Sequence, residues 1–147
     1  MISKSTEYAI RSLVYIQLQN GKEKRPGVVE IAHEIEAPEP YTAKILQLLT
    51  KQGLVESVKG RGGGFFFRED QLDHTLYNII QVVDGDSFFY KCGFGLHHCS
   101  SEHPCPLHDK FEAIRDGFYQ IAISETIRSL ARKITEGNAV MNRIYNN

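Results

Sequence analysis

The stretch Lys59-Gly60-Arg61-Gly62-Gly63-Gly64 lies between two short apolar runs, Leu54-Val55-Glu56-Ser57-Val58 and Phe65-Phe66-Phe67-Arg68. A glycine-dense turn between two such runs predicts a β-hairpin. Glycine accepts positive φ and lets the backbone approach another surface closely. Lys59 and Arg61 at the tip can reach phosphates or enter a minor groove. A phosphate-binding loop is a weak reading, because strand follows the glycines where that motif requires a helix N-terminus.

Before the hairpin, apolar residues recur at helical spacing. Thr6 to Leu18 carries Tyr8, Ala9, Leu13, Val14 and Ile16, with Ser3, Ser5 or Thr6 available as N-cap. Arg25-Pro26-Gly27 breaks the helical pattern. Val28 to Glu36 then makes a short second helix, and Ala37-Pro38-Glu39-Pro40 turns the chain. A third helix, from Pro40 to Gln52, turns Tyr41, Ile45, Leu48 and Leu49 inward and Thr42, Lys44, Gln47 and Lys51 outward, and ends at Gly53. Two helices joined by a tight turn, followed by a basic hairpin, predict a winged helix-turn-helix. Tyr41, Thr42 and Lys44 are the expected DNA contacts on the third helix, with Lys59, Gly60 and Arg61 in the minor groove.

A fourth helix is expected over Leu72 to Val83, capped near Asp73 and stopped by Asp84-Gly85. Beyond it, Cys92, Cys99 and Cys105, all the cysteines of the chain, sit with His97, His98, His103 and His108 in a stretch containing Gly, Ser and Pro. Structural cysteines behave as small buried hydrophobes. These have little apolar periodicity to bury them, so the stretch is expected to be a ligand site. Three thiolates are soft donors suited to an iron–sulfur cluster or to zinc. Gaps of six and five residues are wider than the Cys-x2-4-Cys knuckles of structural zinc, which favours a cluster. His97, His98 and His103 are expected to be solvated loop residues.

Leu107, Phe111, Ile114, Phe118 and Ile121 form a heptad-like seam that changes phase at Ile127, Leu130 and Ile134. A break near Ser124 to Thr126, with Thr126 capping a last short helix that ends at Gly137, explains the shift. The seam is expected to dimerise the protein, because helix-turn-helix proteins commonly pair to span two half-sites. Residues 138–147 are expected to form a mobile polar tail.

The expected fold is therefore mainly α with a small β-hairpin. It comprises a DNA-binding domain over residues 1–84, a cysteine loop over 85–106 and a dimerisation helix plus short helix over 107–137. With 147 residues and 41% hydrophobic content the chain can bury one ordinary core. No signal-peptide core or membrane span is visible, so a cytoplasmic protein is expected, and three thiols there argue for metal or redox chemistry over disulfides. The net charge of −1 makes any nucleic-acid footprint local. An enzyme is disfavoured, since no convergent acid, base and oxyanion groups are visible.

Tyr8-Ala9-Ile10-Arg11, Tyr41-x-x-Lys44-Ile45-Leu46, Gly53-Leu54-Val55, the run Ser57-Val58-Lys59-Gly60-x-Gly62-Gly63-Gly64-Phe65 and the cysteine triplet followed by Leu107-His108 resemble the IscR/NsrR-type family of bacterial winged-helix regulators. The resemblance covers roughly residues 1 to 135. It implies a homodimer on double-stranded operator DNA, with an iron–sulfur cluster on Cys92, Cys99 and Cys105 that senses nitric oxide, redox stress or iron–sulfur supply. Two residues match the family's fourth ligands. Glu7, reaching from the partner subunit, fits a 4Fe–4S sensor and is preferred; His108 is the alternative and fits a 2Fe–2S site. Arg61 stands where many relatives have proline, and the first cysteine gap is one residue longer than is common in the IscR-like branch. The rival within the same fold is a thiol-oxidation or zinc switch without a cluster.

Overall fold

A computed structural model describes residues 2–145. Helix α1 (Lys4–Asn20) is the element on which most of the others pack. Ser3 caps it, its hydroxyl accepting from the Thr6 N–H. Ala9, Leu13 and Ile16 on its inner face are fully buried. Helices α2 (Val28–Glu34) and α3 (Glu39–Lys51) follow, with Pro38 as N-cap of α3 and Pro40 in its first turn, where a missing N–H costs nothing.

Strands β1 (Glu56–Val58) and β2 (Gly64–Phe66) pair antiparallel, with Ser57 opposite Phe65. Each is shorter than its apolar run. Leu54 and Val55 are instead buried in the helical core, and the Phe67 N–H donates to the Asn20 side chain. The hairpin lies against the α1–α2 connection: the Phe65 N–H donates to the Pro26 carbonyl (2.9 Å) and the Arg25 guanidinium stacks over the Phe66 ring at 3.9 Å. Gly64 makes this possible, since a Cβ there would lie 2.2 Å from the Arg25 carbonyl oxygen.

Helix α4 (Leu76–Val83) begins four residues later than its apolar pattern suggests. Leu72 is exposed, Thr75 is the N-cap, and Asp73 instead accepts from the Arg128 N–H at the start of the last helix. A 3-10 turn (Ser87–Phe89) leads into the cysteine loop, and α5 (His108–Ser124) follows. The expected break is present: α5 stops at Ser124, and Thr126 and Ser129 form a reciprocal capping box on α6 (Ile127–Thr135).

Two expectations about the C-terminal part are corrected. Helix α6, expected to follow the long helix as a separate short element, belongs to the N-terminal body. It packs on α1, placing Ile127 and Ala131 in the core with Leu13 and Ile31, so the DNA-binding body needs residues well beyond 84. The tail through residue 145 is docked. Met141 packs against the core, Asn142 Nδ2 donates to the carbonyl and the carboxylate of Glu34 (both 2.9 Å), and the Tyr145 hydroxyl donates to the same carboxylate at 2.7 Å. Residues 146–147 lie outside the described residues.

Candidate functional site

The face predicted to meet DNA has two parts. At the hairpin tip Lys59, Gly60 and Arg61 are exposed. On α3, Lys44 and Gln47 face outward, whereas Thr42 does not. Its residue is fully buried and its hydroxyl donates to the Pro38 carbonyl (2.9 Å), satisfying a backbone acceptor in the first turn. Thr42 is therefore removed from the outward set. Tyr41 is 41% exposed, but its hydroxyl pairs with Ser5 and its ring meets Tyr8 edge-on at 5.6 Å. It ties α3 to α1. Leu46, outside the predicted inward stripe, is fully buried.

The cysteine loop is held by aromatic packing. Phe88 meets Phe111 and Phe118 edge-on, and Phe89 stacks on Phe118 at 5.6 Å. Gly93 lies against the Phe111 ring, where a Cβ would come within 2.2 Å of Cγ. The seam on α5 is consequently not one face. Phe111 and Phe118 turn toward the body of the protein, while Leu107, Ile114 and Ile121, seven residues apart, are 46%, 55% and 53% exposed. Leu107 is the N-cap position of the helix.

Two of the predicted ligands, Cys99 and His108, lie side by side. Cys92 is buried. Burial pushes the Cys92 thiol up, but backbone N–H groups of Leu96, Phe94 and Gly95 and the Cys105 thiol outweigh it, holding Cys92 below the ordinary cysteine range. Cys99 Sγ lies 3.6 Å from His108 Nδ1, and the His108 N–H donates to the Cys105 carbonyl at 3.1 Å. His97, His98 and His103 are exposed. Glu7 stands apart from the loop's own pairings, in α1, with its carboxylate 3.3 Å from Lys4.

Two residues that sequence reasoning misses stand behind the loop. Glu112 Oε2 lies 3.5 Å from His108 Nε2, and Arg115, nine-tenths buried, donates from Nη1 to the Lys91 carbonyl beside Cys92. The available signal was the four-residue spacing from His108 to Glu112, which places both on one helix face.

A helix pair, a basic wing and a cysteine loop leading into a long helix with an exposed apolar row define a winged helix-turn-helix regulator. The match to known proteins agrees. The Rrf2 family, described as an iron-dependent transcriptional regulator, matches residues 2–133, and this chain belongs to it. A candidate HTH-type transcriptional regulator of Aquifex aeolicus is 32% identical over 133 residues, 88% of this chain and 90% of that protein. The HTH-type transcriptional regulator NsrR of Oceanobacillus iheyensis is 25% identical over 141 residues, 95% of each chain. Among solved structures, CymR (YrzC), the global cysteine regulator of B. subtilis, superimposes with a TM-score of 0.71 at 22% identity over 90% of this chain and 96% of its own. T. potens IscR does so with a TM-score of 0.70 at 21% identity, over 99% and 96%. The chain is a transcriptional regulator and not an enzyme, and no helix among the described residues is long and apolar enough to cross a membrane.

Proposed function

We propose that this regulator is a cytoplasmic homodimeric repressor that reports nitric oxide, redox stress or iron–sulfur supply through a cluster held by Cys92, Cys99 and Cys105. The observation that carries this reading is the Cys99 thiol lying 3.6 Å from His108 Nδ1 in the loop that also buries Cys92. The backbone groups of Leu96, Phe94 and Gly95 also hold the Cys92 thiol below the ordinary cysteine range, favouring the thiolate, the form that binds metal. Arg115 adds support. Its buried Nε has no hydrogen-bond partner among the described residues, which leaves a positive group able to balance a thiolate-ligated centre. The donor set therefore fits an iron–sulfur cluster, which when bound supplies iron sites reactive toward nitric oxide and oxidants.

For the fourth donor we favour His108, because its imidazole already lies beside Cys99 in the same chain. Glu7 from the partner subunit is the alternative. The relatives named NsrR favour a nitric oxide signal.

On DNA, Lys44 on α3 and Lys59, Gly60 and Arg61 on the wing make the contacts. Tyr41 positions α3 through Ser5 and Tyr8. The dimer forms through Leu107, Ile114 and Ile121, with Phe111 and Phe118 seating the helix against its own subunit. Loop order reaches the DNA-binding body through contiguous packing. Gly93 rests on Phe111, the Phe88, Phe89 and Phe118 rings join α5 to Ile80 of α4, and Asp84 at the end of α4 accepts from Ser3 and Thr6 at the start of α1. An ordered loop holds the two recognition helices at one spacing, and a disordered loop releases them.

A second reading, a thiol-oxidation switch with no cluster, rests on the three free cysteines of one loop, with the Cys92 thiol held below its ordinary range. Iron and acid-labile sulfide per subunit, measured on protein purified without oxygen, separate the two. About four of each indicates a 4Fe–4S site and about two a 2Fe–2S site. Colourless protein, zinc-loaded or metal-free, from a host able to build clusters overturns the cluster reading. Equal operator affinity of loaded and cluster-free protein overturns the proposed coupling.

A further inference from the structure

The His108 imidazole is nine-tenths buried and has a protein group facing each ring nitrogen. Nδ1 lies 3.6 Å from Cys99 Sγ and Nε2 lies 3.5 Å from Glu112 Oε2. An ionised carboxylate only accepts hydrogen bonds, and a neutral imidazole carries one N–H. If the proton sits on Nε2 to satisfy Glu112, Nδ1 presents its lone pair to the sulfur of Cys99.

Glu112 is itself held. Its Oε1 lies 4.0 Å from Nη2 of Arg115, and Arg115 is anchored through Nη1 to the Lys91 carbonyl at 3.0 Å. The chain of contacts thus runs from the residue before Cys92, through Arg115, Glu112 and His108, to Cys99. All three of its side chains stand on one face of α5.

We propose that Glu112, backed by Arg115, is a positioning residue that fixes the tautomer of His108, so that Nδ1 is the ring atom offered to the cysteine site. This deepens the reading of His108 as a ligand and rests on it. Ligating histidines commonly give their second N–H to a carboxylate, which fixes the ring and raises its basicity. Asp109 could suggest a different use, since its carboxylate, Glu112 and His108 bring one ligating atom each within 4.8 Å of one another. A divalent cation there would sit beside the Arg115 guanidinium and at the positive end of α5. The orienting role suits those charges.

Two measurements test the proposal. The first uses nitrogen-15 NMR of histidine-labelled, reduced, cluster-free full-length protein at about pH 8.5, where imidazoles are neutral, with the His108 signals assigned by their loss in His108→Gln. The Nε2–H tautomer is expected in the wild type and in Glu112→Gln, whose amide oxygen still accepts, with a mixture in Glu112→Leu. An Nδ1–H tautomer in the wild type overturns the proposal whatever the protein binds.

The second compares cluster loss to a chelator after anaerobic reconstitution with iron and sulfide. Glu112→Leu should lose cluster about tenfold faster than wild type, with Glu112→Gln restoring most of the retention and circular dichroism showing the fold intact. Retention unchanged in Glu112→Leu sinks the role of Glu112 alone. A wild type that takes up no cluster sinks the ligand reading beneath it, and the tautomer result then still decides whether Glu112 orients the ring.

Discussion

Gly93 and Phe111 are in contact that only a missing side chain permits: a Cβ at position 93 would stand 2.2 Å from Cγ of the ring. The residue after the first cysteine is thereby pressed onto the long helix that carries the exposed Leu107, Ile114 and Ile121.

Gly93→Ala should lift the loop from α5. Overpacking of this kind costs about 1–3 kcal/mol where the surroundings hold. Here the loop can yield, so the expected result is a small change in the urea midpoint with a large loss of bound iron. A wild-type iron content in the variant would show that the loop's ligand geometry does not depend on this contact.

Arg61 and Thr42 should behave oppositely. Arg61→Ala is expected to weaken operator binding and reduce the slope of log affinity against log salt by about 1. Thr42→Val should leave that slope intact and lower stability by about 1 kcal/mol, through the lost bond to the Pro38 carbonyl. A changed base preference in a fully stable Thr42→Val protein would put the residue back at the interface.

The apolar row on α5 predicts assembly. Ile114→Asp with Ile121→Asp should raise the dimer dissociation constant by about 100-fold or more, read by sedimentation velocity, with the far-ultraviolet spectrum unchanged. A dimer that survives both substitutions at nanomolar concentration would place the interface elsewhere.

Asp84 gives the fold an acid sensitivity. Burial pushes its carboxyl up, but the Ser3 and Thr6 hydroxyls and the Ser3 N–H outweigh this and hold it below the ordinary aspartate range. Because the folded value is depressed, the stabilisation is present above the unfolded value of about 3.9. It is lost as pH falls through the folded value. The residue is exposed, so the effect should be modest. Asp84→Asn should therefore be less stable than wild type at pH 7 and nearly equal to it near pH 2 in denaturant titrations. A difference that persists undiminished at the acid end would assign the effect to packing.

The docked tail should be felt in α2. Asn142→Ala together with Tyr145→Phe removes three hydrogen bonds to Glu34, for an expected loss of about 1–2 kcal/mol. Faster amide exchange should be concentrated in residues 28–34. Unaltered exchange there would mean that the tail contacts do not restrain the helix.

The features legible in the sequence were those with local causes. The wing follows from glycines between apolar runs, and the break between α5 and α6 follows from Thr126 and Ser129 capping each other three residues apart. Thr42 reads as solvent-facing because it is polar, whereas it is buried and its hydroxyl bonds within its own turn. Leu72 extended an apolar pattern that the cap at Thr75 cuts off. Asn142 and Tyr145 reach Glu34 across 108 and 111 residues, a distance over which no spacing rule operates. The cysteine triplet is legible as a candidate site, whereas Glu112 and Arg115 resemble any charged residues on a helix until the backbone sets them beside His108 and Lys91.

Helix α6 lies on α1 although about a hundred residues separate them along the chain. Closing so long a loop is slow compared with forming neighbouring helices. During synthesis, α1, α2 and α3 leave the ribosome with the core surface that will receive Ile127 and Ala131 still open. The DNA-reading unit is finished only when the last helix has emerged, by which time the cysteine loop is already outside. A nascent chain arrested before α6 therefore carries α3 on an unfinished core, and the completed body always has the cysteine loop beside it.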